Sequence, residues 1–267
     1  MKELRGSLLR VALIVALALG LSSQAWSQEP AQASPISAND GQWHFLVGLY
    51  GWFPAIQGTV SLNDYVQVPI NVSFSDLWSH LKMVAPLHFE ARHDLFGLAT
   101  DVLYIRMGAP IQGNIPQYLN ASVDLRTWIV EGFGFYRVAH GSGENPWTID
   151  LLGGVRYWNI NARAESDIGN TSTLTTDWVD GFGGLRFQVP IVGCLSLLGR
   201  GDVGAGGAKL DWSASGDLAL RLGKHWVSGL GWKYLSVDYA GKAGPLGSQR
   251  VFDVAFNGPL AWIVYTW

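Results

Sequence analysis

The chain has 267 residues, 48% hydrophobic and only 15% charged, with a positive mean hydropathy and a formal net charge of −3. Disordered tails and ordinary solvated domains have a more polar composition, and the acidic balance argues against a nucleic-acid partner. A helical membrane span needs about 20 consecutive apolar residues; no such run follows Ala25, so a multi-span helical protein is excluded.

The N-terminus carries Lys2, Arg5 and Arg10, an apolar stretch from Val11 to Leu21, and the small and polar residues Ser22 to Ser27. These are the three parts of a secretory signal peptide, predicted over 1–27. No cysteine stands near the cleavage region, so a lipid anchor has no attachment point, and the lone Cys194 has no internal disulfide partner. Residues 28–42, rich in Pro, Ala, Ser and Gln and without periodicity, read as a flexible periplasmic leader.

From Trp43 onward the pattern becomes alternation. Between Lys209 and Arg221, Leu210, Trp212, Ala214, Leu218 and Leu220 share one face, and Lys209, Asp211, Ser213, Ser215, Asp217 and Arg221 share the other. Period two over a dozen residues is a strand, because a helix scatters these residues around its circumference. The same pattern predicts strands at about 43–53, 83–92, 96–107, 121–138, 147–160, 177–188, 194–204, 209–222, 226–239 and 250–267. Connections alternate between short and long, the link near Gly206 excepted. Ten-residue segments joined by short turns at one end and long loops at the other describe an all-β fold, an up-and-down antiparallel transmembrane β-barrel of about ten strands over 43–267, or eight if two segments pair outside the wall. Its short turns and both termini are expected in the periplasm. In the longest loop, 54–82, the apolar runs Gly58–Leu62 and Val68–Phe74 suit an extension of the wall or a hairpin above it, and Ser75–Leu81 suits a turn or two of helix capped by Ser75.

Charge decides which face is inside. At positions of polar parity stand eight acids, Glu90, Asp101, Glu131, Asp150, Asp180, Asp202, Asp211 and Asp217, and eight bases, Arg92, Arg137, Arg156, Arg186, Arg200, Lys209, Arg221 and Lys233. A solvated exterior favours Lys and Glu; Arg with Asp dominates here, a combination suited to compact bidentate pairs away from water. The apolar face carries Tyr136, Tyr157, Trp212, Trp232 and Tyr234, several near strand ends, as interfacial girdles require. The apolar face is therefore predicted outward, against outer-membrane lipid, with the sixteen charges forming an interior ion-pair network of structural role. At the C-terminus Ala261, Ile263, Tyr265 and Trp267 are apolar at every second residue, and the chain stops on the aromatic. Such an ending resembles the terminal strand that the outer-membrane assembly machinery recognises, with Ile263, Tyr265 and Trp267 as its signal.

The succession Gly58-Thr59-Val60, Val72 to Leu77, His88-Phe89-Glu90-Ala91-Arg92, Asp177-Trp178-Val179-Asp180, Gly184-Leu185-Arg186-Phe187, Arg200-Gly201-Asp202-Val203-Gly204 and Asn257-Gly258-Pro259 resembles the small single-chain outer-membrane β-barrel proteins of Gram-negative bacteria, in their opacity-like branch. The match runs from about Val47 to Trp267. It implies fold and location, and it brings no catalytic residues, cofactor or metal.

Three activities compete for such a barrel. A surface enzyme needs His beside Asp, Ser or Asn on the outer side, where His80, near Ser75, Asp76 and Ser79, is the one candidate. An open pore needs about 16 strands, whereas ten enclose little more than their own side chains; a narrow channel for small or hydrophobic solutes is the variant that fits this size. The reading carried forward is a closed, ion-pair-filled, monomeric barrel with a structural role or a surface-binding role through its extracellular loops, their ligand unspecified.

Overall fold

The structure, a computed structural model, describes residues 41–63, 66–110, 121–142, 146–166, 171–241 and 251–267. The signal peptide and all but the last two residues of the leader, 28–42, lie outside the described residues.

Twelve strands form one antiparallel sheet: β1 (Trp43–Trp52), β2 (Ala55–Asn63), β3 (Val66–Val72), β4 (Leu81–His93), β5 (Phe96–Pro110), β6 (Ala121–His140), β7 (Thr148–Ser166), β8 (Thr171–Val192), β9 (Leu195–Gly206), β10 (Leu210–Arg221), β11 (Trp226–Ala240) and β12 (Val251–Thr266). A six-residue helix, α1 (Phe74–Ser79), joins β3 to β4. The wall closes because β12 pairs with β1, from Leu46 opposite Thr266 to Trp52 opposite Leu260. Ten strands, β1 and β4 to β12, therefore make an up-and-down barrel, and each coincides with one of the ten alternating segments of the sequence.

The short turns share one end with the two chain ends of the barrel, where Phe45 and Trp267 exchange backbone hydrogen bonds of 2.9 and 3.1 Å. We call it the turn end. Its turns use positive φ at Asp94, Gly193 and Gly223, the left-handed conformation a reversal of two to four residues needs. At the opposite, loop end, strands run further than the sequence periodicity indicates. β7 and β8 remain paired up to Glu165 opposite Thr171, where Thr-rich, β-branched sequence sustains a twisted ribbon. The exception at Gly206 is a short reversal, held by Gly206 N–H donating to the Ala208 carbonyl at 2.9 Å.

The 54–82 segment both extends the wall and forms a hairpin. After a break at Phe53–Pro54, β2 continues the line of β1 along β12, Ala55 opposite Asn257 to Ser61 opposite Val251, and β3 folds back on β2. Among the described residues β3 pairs with β2 alone, and β4 pairs with β1 only from His93 to His88. Pro69 in β3 and Pro86 in β4 cannot donate to a ladder, which suits strands bordering a seam. α1 is capped by Ser73, whose Oγ accepts from Asp76 N–H at 3.2 Å; the expected cap, Ser75, is one residue inside the helix. Phe74 and Trp78 of α1 pack on Phe53, with ring centroids 5.5 and 5.7 Å apart.

Alternation translates directly into two faces. Leu98, Tyr136, Val155, Tyr157, Val179, Leu185, Val203, Trp212, Leu218, Leu230, Trp232 and Ile263 point outward and are exposed. Glu90, Arg92, Glu131, Arg137, Asp150, Arg156, Asp180, Asp202, Asp211 and Asp217 point inward and are buried. A soluble barrel reverses this order, since hydrophobic burial is what drives it to fold in water; apolar outside and charged inside is the order lipid selects.

Candidate functional site

The interior is the chemically distinctive part of the molecule, and it is layered. Nearest the turn end, inward side chains of β4, β6, β7 and β8 form one cluster. Asp150 accepts from Arg92 (2.8 Å), Arg137 (3.0 Å) and Arg186 (3.0 Å), and Arg186 also donates to both oxygens of Glu90 at 2.7 and 3.1 Å. The guanidinium carbons of Arg92 and Arg186 lie 4.8 and 3.9 Å from the Phe135 ring centroid, a cation–π arrangement that needs no further acid.

Further in, a second cluster is built around Arg156, whose exposure is 0%. Its three nitrogens each take a different carboxylate: Nε donates to Glu131 (2.8 Å), Nη2 to Asp202 (2.7 Å) and Nη1 to Asp211 (2.6 Å). Arg200 grips two of the same acids, Glu131 at 2.8 Å and Asp202 at 2.9 Å, and stands 3.8 Å from Asp101. The Ser213 hydroxyl completes Asp202 at 2.8 Å. Asp101 is bonded to His88 Nδ1 at 2.8 Å, and the other ring nitrogen of His88 faces Glu90 at 3.9 Å. That histidine thus lies between two carboxylates, with no nucleophile in the arrangement. Asp180 takes the Trp178 indole N–H (2.8 Å) and the Ala208 backbone N–H (2.7 Å).

Toward the loop end the filling becomes aromatic. Trp158 and Trp178 stack at 5.5 Å, Trp178 and Tyr239 at 4.1 Å, and Phe256 sits between Trp158 and Trp52 at 6.3 and 5.9 Å. Leu103, Ile129, Leu235 and Val237 pack against this group. A cavity of about 270 Å³ runs beside these side chains, from Cys194 and Arg221 at the turn end to Asp101, Arg200 and Lys233 at the level of the second cluster. It lies between the ionic wall, including Glu90 and Arg186, and a wall of small and apolar residues, including Ala219, Val227 and Val264.

The sixteen charges named from the sequence do not all meet. Lys209 is a correction: it lies in the β9–β10 turn, its side chain 62% exposed and 3.9 Å from Asp238, outside the interior. Its parity continues that of the strand, but a turn residue no longer obeys the pleat. Asp217, Arg221 and Lys233 point inward without an ion pair among the described residues. Asp217 accepts from Trp262 at 3.3 Å, Lys233 lies 5.0 Å from the Trp52 ring, and Arg221 lines the cavity. The partners are also mostly on other strands; Arg200 with Asp202 on β9, at 2.9 Å, and Arg92 with Glu90 on β4, at 3.8 Å, are contacts made within one strand. His88 and the inward rings Phe133, Phe135, Phe182, Trp158 and Trp178 were missed by a reading that sent apolar residues outward. Parity marks them, since Trp158 follows Arg156 by two and Phe182 follows Asp180 by two.

Ile263 and Trp267 point outward and are exposed, with Tyr265 between them against His225, Trp226 and Trp267. His80 ends α1, its Nδ1 held by the Asp76 carbonyl at 2.7 Å and the Ser79 hydroxyl at 3.0 Å. Those contacts are local to the helix, and among the described residues no carboxylate pairs with the ring.

No protein-family model and no curated protein matches the chain. Among solved structures it is similar to Ail, the attachment invasion locus protein of Yersinia pestis (11% identity, TM-score 0.38, covering 84% of this chain and 98% of that one). It is also similar to the translocator domain of the autotransporter NalP from Neisseria meningitidis (12%, TM-score 0.40, 99% and 97%) and to Neisserial surface protein A (11%, TM-score 0.30, 84% and 96%). At these scores the likenesses add nothing to what the strand register shows. The closed ten-strand register, the outward apolar belt and the charged interior make the chain a transmembrane β-barrel of the outer-membrane type.

Proposed function

We propose that this protein is a closed outer-membrane barrel whose interior is structural and whose contacts with the surroundings are made at its loop end, outside the cell. The observation that carries the reading is the double filling of the lumen, an ion-pair layer around Arg156 followed by an aromatic layer around Trp158 and Trp178. The cavity runs beside the first layer as far as Asp101 and Lys233, so the aromatic layer is the one that a crossing solute must displace. Buried pairs of this kind add little net stability over an apolar filling, so their value lies in fixing one register and one shape for a wall that presents β2, β3, α1 and the β7–β8 ribbon. The barrel acts as a monomer, enters the membrane through assembly machinery that reads Ile263, Tyr265 and Trp267, and keeps its turn end in the periplasm.

Orientation decides whether the loop end can act outside, and the chain carries its own reporter. Cys194, its lone cysteine, is exposed in the β8–β9 turn at the turn end. A membrane-impermeant maleimide is expected to leave Cys194 unlabelled in intact cells and to label it once the outer membrane is permeabilised. A C194S variant carrying Ser79→Cys in α1 is expected to label in intact cells. Labelling of Cys194 in intact cells, with none at position 79, would reverse the orientation and remove the proposed role.

A further inference from the structure

The outer surface carries one arrangement that neither folding nor a filled lumen requires. On the exterior of β5 and β6, Arg106 and Arg126 are directly opposed across the ladder, and like charges in that position destabilise a strand pair. Both converge on Asp124: Arg106 donates Nε and Nη2 at 3.1 and 2.8 Å to Oδ2, and Arg126 donates Nε at 3.0 Å to Oδ1. Lys82 reaches the same carboxylate at 3.1 Å, and Arg163 on β7 is directly opposite Asp124. Three cations thus hold a single acid, with a fourth opposite it in the ladder. Lys82, Arg106 and Arg126 remain 39–51% exposed, whereas Asp124 is only 18% exposed, so the outward surface of the group is cationic.

Position gives this patch its meaning. Tyr104 and Trp128 pack beneath it with centroids 4.6 Å apart and ring planes tilted by 41°, each two residues before or after an arginine on the same outward face. Aromatic pairs of this kind mark the border between hydrocarbon and headgroup. The cations sit one step beyond that border toward the loop end, at the level of lipid phosphates. Arginine forks bind phosphate oxygens in pairs, and an anion bridging Arg106 and Arg126 removes the repulsion built into their register.

We propose that Lys82, Arg106, Arg126 and Arg163, organised by Asp124, form a binding site for the phosphorylated headgroup of a membrane lipid in the leaflet at the loop end. On the orientation given above, on which this assignment rests, that leaflet is the outer one and the ligand is a phosphorylated glycolipid. The site then anchors the β5–β6–β7 wall to the lipid surface.

The test uses the full chain in detergent micelles, titrated with bisphosphorylated lipid A and followed by native mass spectrometry. One lipid per barrel is expected to be retained, and the same lipid with its phosphates removed is expected to bind at least about tenfold more weakly, as loss of charge-assisted hydrogen bonds implies. The R106Q/R126Q variant is expected to lose affinity by a similar factor while keeping the heat-modifiable mobility of a folded barrel. R106K/R126K keeps the charge and is expected to bind between the two. A K209Q/K224Q variant, removing exposed cations elsewhere, is expected to bind as the unaltered chain does. Equal binding of phosphorylated and dephosphorylated lipid, or no effect of R106Q/R126Q, overturns the site. Displacement of lipid A by equimolar inorganic phosphate assigns the patch to free phosphate and overturns the membrane reading. Because micelles expose both ends of the barrel, these outcomes are independent of cysteine labelling: reversed labelling moves the site to the other leaflet, and failed binding leaves the orientation intact.

Discussion

Replacing Arg156 with methionine is expected to lower the unfolding free energy of the detergent-folded barrel by about 3–5 kcal/mol, the effect of stranding buried charges when one partner of a pair is removed. Arg156 is fully buried and is held by Glu131, Asp202 and Asp211 through three separate nitrogens. Arg200 shares only the first two of these acids, so Asp211 loses its one arginine. The urea midpoint, read from the mobility difference between folded and unfolded forms, measures the loss. A second substitution, Asp211→Asn in the Arg156→Met background, is expected to restore part of it, because the amide no longer carries an uncompensated charge. Removing Asp211 alone is expected to be less damaging than removing Arg156, whose two other acids remain. Equal stability of the Arg156→Met variant and the unaltered chain would mean that the interior pairs are solvated.

The second large effect lies on the opposite face. Leu230→Arg is expected to lower stability in lipid by about 2–4 kcal/mol, the penalty for arginine on the lipid-facing side near the bilayer midplane. Leu230 points outward, is 63% exposed, and stands between Trp226 and Trp232, which are also exposed; those tryptophans bracket it at a mid-belt depth. In a soluble barrel the same change replaces a water-exposed leucine and is close to neutral. Reversible unfolding from phosphatidylcholine vesicles, compared for Leu230→Arg and Lys209→Arg, separates the two environments. The Lys209 substitution, in an exposed turn, is expected to change nothing measurable.

The sequence and structure agree where the physics is local. Period-two alternation, the turn residues Asp94, Gly193 and Gly223, and the aromatic last residues are properties of a few neighbouring positions, so all ten wall strands and the 54–82 hairpin can be read directly from them. Partnership across the lumen is not local. Arg156 on β7 meets Asp211 on β10, which no spacing along the chain reveals; that meeting depends on strand tilt and stagger, which a closed barrel sets as a whole. The same limit explains why Asp150 takes Arg92, Arg137 and Arg186 rather than Arg156 of its own strand. The inward rings were hidden for a different reason. Binary patterning treats every apolar side chain as lipid-facing, but Trp158 and Trp178 share the parity of Arg156 and Asp180 and pack inside. Lys209 shows the converse error, parity carried one residue past the end of a strand.

What the fold accomplishes therefore depends on whether two layers of side chains seal a ten-strand wall. Planar-bilayer recording of the purified full chain addresses that directly. The expected record is flat at applied voltages of either sign, apart from brief, irregular events. Steady single-channel steps that recur at one amplitude would show a continuous aqueous path past Arg156 and Trp158, and would contradict the closed interior.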